Sequence, residues 1–187
     1  MGKINAFNQI SLDGYFTDAR NDMSWAHKDP NDVEWNEYVG GNSSGDGGLL
    51  FGRITYELMA GFWPTPQAAA MMPEVAAGMN RMKKYVFSRT LTEVAWQNST
   101  LLKDDLATEV RKLKSGPSDL AILGSGSLIA QLTDLRLIDQ YQFVMNPIVL
   151  GSGRTTFQGV KERLSLRHTS TRTFKNGNVV ISYELPK

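Results

Sequence analysis

Residues 49–56 read Leu49-Leu50-Phe51-Gly52-Arg53-Ile54-Thr55-Tyr56. The three apolar residues stand between Gly48 and Gly52, which is typical of a short strand buried on both faces. Arg53 to Ala60 then predicts a helix, because Ile54 and Leu58 fall on one side of it. A buried strand followed at once by a helix is the repeating unit of a parallel sheet.

The same unit recurs along the chain. Strands are predicted at Lys3–Ile10, Lys84–Ser88 and Leu120–Leu123, and helices at 73–82, Asp104–Ser115 and Ser127–Thr133. The last third is rich in β-type residues, with strands predicted at Ile138–Val149, Leu164–Phe174 and Val179–Leu185 and a hairpin turn at 175–178. We therefore predict one α/β domain over 1–187. Its central sheet is mixed and mainly parallel, flanked by helices on both faces, with antiparallel C-terminal strands.

The first helix is predicted to begin at Asp29-Pro30, with Asp29 as the capping residue, and to stop at Gly40-Gly41. The stretch 42–48 is predicted to be a loop. Within it, Gly41-Asn42-Ser43-Ser44-Gly45 matches the nucleophile-elbow pattern. That motif needs a preceding strand and a following helix, so we interpret this match as accidental.

Composition excludes several functions. The chain has 187 residues, no cysteine, two histidines and 20 basic against 19 acidic residues, a net charge of +1. Without cysteine there is no disulfide, thiol catalysis or iron–sulfur cluster, and the separated histidines predict no metal site. The charge lacks the footprint of a nucleic-acid binder, and no apolar run is long enough for a membrane span. We expect a cytoplasmic protein with a small-molecule ligand.

Residues suited to phosphate follow three predicted strands. Each group combines glycines, hydroxyls or a guanidinium with a strand end, where ligands bind in such sheets. The groups are Gly52, Arg53 and Thr55; Ser88, Arg89 and Thr90; and Gly124, Ser125, Gly126, Ser127 and Leu128. Ile129 stands where the dinucleotide fingerprint needs its third glycine, so the classical motif fails. Together the three groups predict an extended polyanionic ligand such as a dinucleotide.

Carboxylates and tryptophans are the remaining candidates. Asp13-Gly14 is a turn signal, and Asp29 and Asp32 have sufficient structural roles at a helix start. A catalytic role for any of them does not follow from spacing alone. Trp25 and Trp63 are predicted in loops, where an indole either anchors the core or forms a wall for a flat ring.

The ordered motifs resemble the dihydrofolate reductase-like superfamily, most closely the C-terminal reductase domain of the bifunctional riboflavin-biosynthesis protein and its free-standing relatives. The resemblance covers nearly the whole chain. It rests on residues 10–15, 50–57, 61–64, 84–90, 124–128 and 147–153.

The resemblance implies a homodimeric, NADPH-dependent reductase that transfers a hydride to a small pterin-, pyrimidine- or carbonyl-type substrate. It implies that Gly52, Arg53 and Thr55 serve the cofactor phosphates and that Ser88, Arg89 and Thr90 lie by the adenosine ribose and its 2′-phosphate. It also implies that Gly124 to Leu128 hold the pyrophosphate. Asp32 and Asp13 would be the catalytic residues, with Asp29 the next candidate acid after Asp32. Trp25 and Trp63 would border the substrate. The alternative is a nucleotide-binding protein of the same fold without turnover.

Overall fold

The computed structural model describes residues 1–29, 31–43 and 47–186. Its strands are β1 (Ile4–Ser11), β2 (Tyr15–Asp18), β3 (Gly48–Gly52), β4 (Lys83–Phe87), β5 (Ser99–Leu102), β6 (Leu120–Leu123), β7 (Gln140–Asn146), β8 (Gly153–Thr155), β9 (Arg167–Thr173) and β10 (Val179–Glu184). Eight of them form one sheet in the order β5-β4-β3-β6-β1-β7-β10-β9. The first six strands in that order run parallel to one another, and β10 pairs antiparallel with both of its neighbours, β7 and β9. The predicted fold class is confirmed.

The helices are α1 (Val33–Ser43), α2 (Arg53–Phe62), α3 (Pro66–Met71), α4 (Pro73–Arg81), α5 (Leu106–Lys114) and α6 (Gly126–Asp134). On one face of the sheet, Val110 of α5 and Ile129 of α6 pack with Ile4 and Ile122 of the strands. On the other face, Tyr56 of α2 and further residues of α4 pack over β3 and β4. Helices therefore cover both faces.

Helix α1 covers the middle of the sheet on the second face. Trp35 packs against Val144, Phe174 and Val180, with the Trp35 and Phe174 ring centroids 5.0 Å apart. Helix α1 packs over β7 and β10, whereas α2 packs over β3 and β4. Strands β6 and β1 lie between these two parts of the sheet. Both helices begin at the edge where the parallel strands end, and this arrangement positions the candidate site.

The start and end of the first helix were predicted wrongly. Asp32, not Asp29, caps it, because the Asp32 carbonyl accepts from Asn36 N and its carboxylate accepts from Trp35 N at 3.1 Å. Pro30 lies outside the described residues. The helix also runs through Gly40-Gly41 to Ser43, so the predicted loop begins later. Residues 44–46, which include part of the nucleophile-elbow match, lie outside the described residues too.

Other predicted bounds change as well. Strand β7 ends at Asn146 and is parallel to β1, although the β-rich tail was expected to add antiparallel strands. The helix predicted from Asp104 begins at Leu106, because the Asp105 side chain accepts from Thr108 N as its cap. Strands β2, β5 and β8 were not predicted. Two of these, β2 and β8, pair only with each other.

Candidate cofactor and substrate site

Three neighbouring strands, β4, β3 and β6, end at one edge of the sheet. They run parallel, so Gly52 at the end of β3 lies beside Phe87 at the end of β4 and near the turn that follows β6. The structure therefore brings the three predicted phosphate-binding groups to a single edge. This is the edge where open parallel sheets bind ligands.

Two hydroxyl groups join the turn after β3 to the turn after β6. The Ser125 hydroxyl accepts a hydrogen bond from Gly52 N at 3.0 Å, and the Thr55 hydroxyl accepts one from Ser125 N at 3.0 Å. Each hydroxyl oxygen is thus engaged as an acceptor, and its own proton is available for donation. The first backbone N–H groups of α2 and α6 have no intrahelical partner, since they open helices.

The conformation of the second turn keeps this edge open. Gly124 and Ser125 both have positive φ, 64° and 49°. A Cβ at Gly124 would lie 3.2 Å from Thr55 Cγ2, and one at Gly126 would lie 2.8 Å from a Phe16 ring carbon. Glycine at position 124 lets the two turns approach each other closely, which an anion site made of backbone N–H groups requires, and glycine at position 126 makes room for the Phe16 ring of β2.

The basic groups at this edge differ in their surroundings. Arg53 pairs with Glu57 one turn further along α2, at 3.0 Å. Arg89 is exposed, and within residues 1–29, 31–43 and 47–186 no ion pair to it is recorded. Ser88 folds its segment back by accepting from Thr90 N and Leu91 N. The Leu128 side chain is buried in the core and its backbone N donates to Ser125 O at 2.9 Å, so the predicted contact of Leu128 with a ligand is not supported.

Asp13 holds two loops together. Its carboxylate accepts from Leu150 N at 3.1 Å and from Gly151 N at 2.7 Å. The Ser11 hydroxyl, then those two N–H groups, keep the pKa of the Asp13 carboxyl below its usual value. The carboxylate is therefore ionised at neutral pH and serves as a bridge between the β1–β2 turn and the loop after β7.

Asp32 stands where α1 begins and also contacts the β9–β10 hairpin. One carboxylate oxygen accepts from Trp35 N, and the other accepts from Asn176 Nδ2 at 2.8 Å. Asp29 lies one turn earlier and accepts from Asn31. Nothing local in the sequence pointed to Asn176, because it lies 144 residues from Asp32.

The two tryptophans lie in different places. Trp25 belongs to a short 3-10 turn, Ser24–Ala26, in the loop before α1, and its ring N–H donates to Asp22 O. Trp63 lies in the turn between α2 and α3, as predicted, and packs against the core over β3 and β4. With 1.5 Å rise per residue, that end of α2 is about 15 Å from its first residue. Trp63 is thus remote from the turn that carries Arg53.

Among the described ranges, no group of three or more His, Asp or Glu side chains could hold a metal ion. In the same part of the chain, no helix is long and apolar enough to cross a bilayer.

Solved structures share this fold. A candidate riboflavin biosynthesis protein from Shewanella sp. PV-4 superposes with a TM-score of 0.77, at 24% identity over 99% of both chains. The dihydrofolate reductase of Enterococcus faecalis, solved with NADP(H), gives 0.66 at 13% identity, over 100% of this chain and 98% of its own. A deaminase/5-amino-6-(5-phosphoribosylamino)uracil reductase from Thermotoga maritima gives 0.68 at 14% identity, over 99% of this chain and 57% of its own. The chain thus has a dihydrofolate reductase-like fold.

Comparison of the amino-acid sequence identifies a narrower family than the shared fold does. The model of the RibD C-terminal domain matches residues 2–180. The chain is also 32% identical over 175 residues to the uncharacterized protein YyaP of Bacillus subtilis (strain 168), covering 93% of this chain and 90% of that one. The chain belongs to the RibD C-terminal domain family, which confirms the resemblance stated from the motifs.

Proposed function

We propose that this protein is an NADPH-dependent reductase that reduces a C=N or C=O bond of a small molecule. Relatives of the same fold include proteins named as reductases, one of them solved with NADP(H). The observation that carries the proposal is the double hydroxyl bridge, in which Ser125 and Thr55 tie together the starts of α2 and α6. It leaves two O–H donors and two sets of helix N–H groups at one edge.

This donor set fits a diphosphate. Phosphate oxygens accept hydrogen bonds only, and helix N-termini carry partial positive charge. Thr55 and Gly124 to Ser127 would hold the pyrophosphate beside Gly52, whose own N–H is donated to Ser125. Arg89 with Ser88 and Thr90 would hold the 2′-phosphate side. When bound, NADPH supplies the hydride, and the protein supplies position and surroundings.

The substrate would bind beside the loops that border α1. In this proposal the Asp32 carboxyl, or a water that it holds, provides the proton that the reduced atom needs. The Asp13 bridge fixes the loop after β7, and Trp25 borders the flat ring of the substrate. Residues 1–187 act as one cytoplasmic domain in this scheme.

The proposal is tested by cofactor binding followed by turnover. NADPH should raise the melting temperature of the protein, since a ligand that binds only the folded state stabilises it. With a panel of dihydrofolate, simple dicarbonyls and the riboflavin pyrimidine, the near-ultraviolet absorbance of NADPH should fall. Binding of NADPH without turnover of any compound would favour the alternative, a nucleotide-binding protein of this fold. An unchanged melting temperature would exclude both.

A further inference from the structure

Large aliphatic side chains are exposed at the same end of the sheet as the candidate site. Leu12, Val33, Ile54, Leu58 and Val149 are each 60–67% exposed. They follow β1, open α1, occupy the first turns of α2 and follow β7, respectively. Each of these elements begins or ends at the carboxyl edge. We call these five residues the aliphatic rim.

The rim is held in place by contacts between its loops. Leu12 N donates to Ile148 O at 2.8 Å, which brings the residues after β1 beside the residues after β7. On α2, Ile54 and Leu58 are spaced one turn apart, and the buried side of that helix carries Tyr56 instead. The exposure of the rim residues is therefore not caused by incomplete packing of the hydrophobic core. Leu12 thus lies close to Val149, and Ile54 lies close to Leu58, and exposed apolar residues that are grouped in this way mark a binding surface.

The charges on the segments that carry the rim disfavour a second anionic ligand. By sequence, residues 11–14, 27–36, 53–58 and 147–152 carry the carboxylates Asp13, Asp29, Asp32, Glu34 and Glu57. The same segments carry two cations, Lys28 and Arg53. Arg53 pairs with Glu57 and Glu34 pairs with Arg172, which leaves Asp13, Asp29 and Asp32 beside Lys28. A second anion, beyond the cofactor phosphates seated on the helix N-termini, would meet mostly like charge here.

We infer that the rim selects a substrate with an uncharged, apolar body and no phosphate group. This inference rests on the proposed reductase function and names the substrate class for its site. It separates this chain from a reductase of a phosphoribosylamino compound, the substrate named for the Thermotoga maritima relative. Contact between the apolar rim residues and an apolar substrate lowers the free energy of the complex. The carboxylates raise the free energy of a bound phosphate by repulsion.

Two matched pairs of compounds test the two halves of the inference. The first pair is 5-amino-6-(5-phosphoribosylamino)uracil and its phosphate-free form, which differ only in the phosphate. The second pair is 1-phenylpropane-1,2-dione and butane-2,3-dione, which share the dicarbonyl and differ in apolar area. Binding is measured by calorimetry on the NADP⁺-saturated protein and on the free protein, and turnover by NADPH absorbance.

The phosphate-free form should bind at least about tenfold more tightly than its phosphorylated partner. The phenyl diketone should bind about tenfold more tightly than butanedione. Equal or reversed preference in either pair, or no binding by any of the four compounds, overturns the inference. Failure of the proposed function would give a different result: NADPH would leave the melting temperature of the protein unchanged, whichever of the four compounds the free protein binds.

A variant pair separates the rim from apolar surface in general. Leu58→Ser should reduce the preference for the phenyl diketone about three- to tenfold, because it removes aliphatic contact area. Met71→Ser is the matched control, since Met71 is 61% exposed on α3, outside the rim. It should leave the preference unchanged. Equal effects of the two substitutions would show that the rim does not select the substrate.

Discussion

Asp32 and Asn176 join the first helix to the last hairpin of the sheet, with Asp32 Oδ2 accepting from Asn176 Nδ2 at 2.8 Å. Asn176 is fixed in turn, because its Oδ1 accepts from Asn178 N. The carboxylate is therefore held in one orientation at the carboxyl edge of the sheet. A fixed carboxyl can serve as a helix cap, as a proton donor, or as both.

Replacing Asp32 distinguishes these roles. Asn caps a helix as well as Asp does, but its amide nitrogen cannot accept from Asn176 Nδ2. Asp32→Asn should therefore lower the free energy of unfolding by about 0.5–1.5 kcal/mol, the cost of one lost hydrogen bond. If Asp32 supplies the proton, turnover should fall about 10²–10⁴-fold while NADPH affinity is retained. The measurement is kcat as a function of pH beside a denaturation curve, with Asp105→Asn, at the capping aspartate of α5, as the control. Unchanged kcat with an unchanged pH profile would leave Asp32 as a cap alone.

The hydroxyl bridge predicts a loss of cofactor affinity in Ser125→Ala. The substitution leaves Gly52 N without its acceptor and removes one O–H donor from the edge. A lost hydrogen bond costs about 0.5–1.5 kcal/mol, so NADPH should bind up to about tenfold more weakly. Ser115→Ala, at the end of α5, is the control serine, because its hydroxyl bonds only to Lys112 O within its own helix end. Titration by protein fluorescence measures both, and matched affinities would contradict the assignment of Ser125.

The sequence identifies the strand-end turns but not the bonds between them. Leu49–Phe51 and Leu120–Leu123 are predicted correctly because a buried parallel strand is apolar on both faces, which is a local property. The Ser125–Gly52 bond spans 73 residues, and no local pattern encodes it. Strand β9 carries only exposed side chains and β2 pairs only with β8, so their assignment depends on long-range pairing.

We expect the chain to form a homodimer in which two copies meet at a polar hollow on the sheet. The hollow, of about 320 Å³, is lined by Asn5, Gln140, Gln142, Thr169, Ser170 and Ser182. Amides and hydroxyls both donate and accept, so such a surface is complementary to itself across a two-fold axis, as a homodimer requires. Gln142→Arg places like charges near that axis and should give monomers in light scattering. Gln67→Arg, on exposed α3, should leave the mass unchanged. A monomeric mass for the unsubstituted protein at micromolar concentration would remove the dimer.

Lys84 predicts a rise of stability with pH. Its side chain is fully buried, its ammonium donates to Asn80 O and Gln97 O, and burial lowers its pKa to about 8 from 10.5. Between those two values the unfolded chain binds more protons than the folded one, so the free energy of unfolding rises with pH. The rise between pH 8 and 10.5 should reach about 1–3 kcal/mol. Denaturant titrations should show this rise in the parent and lose it in Lys84→Met. Identical slopes for the two proteins would mean that Lys84 titrates normally.

Arg89 predicts the choice of cofactor. Unlike Arg53, which pairs with Glu57, it is exposed at a strand end and available to a 2′-phosphate. A guanidinium meets a phosphate through two parallel hydrogen bonds, worth about 1.5–3 kcal/mol or roughly 10–150-fold in affinity. Arg89→Ala should therefore weaken NADPH by about that factor and leave NADH nearly unchanged, since NADH lacks the phosphate. Arg111→Ala, an exposed arginine of α5, controls for the loss of one positive charge and should affect neither cofactor. The four titrations decide the matter: an equal loss for both cofactors in Arg89→Ala would mean that Arg89 does not read the 2′-phosphate.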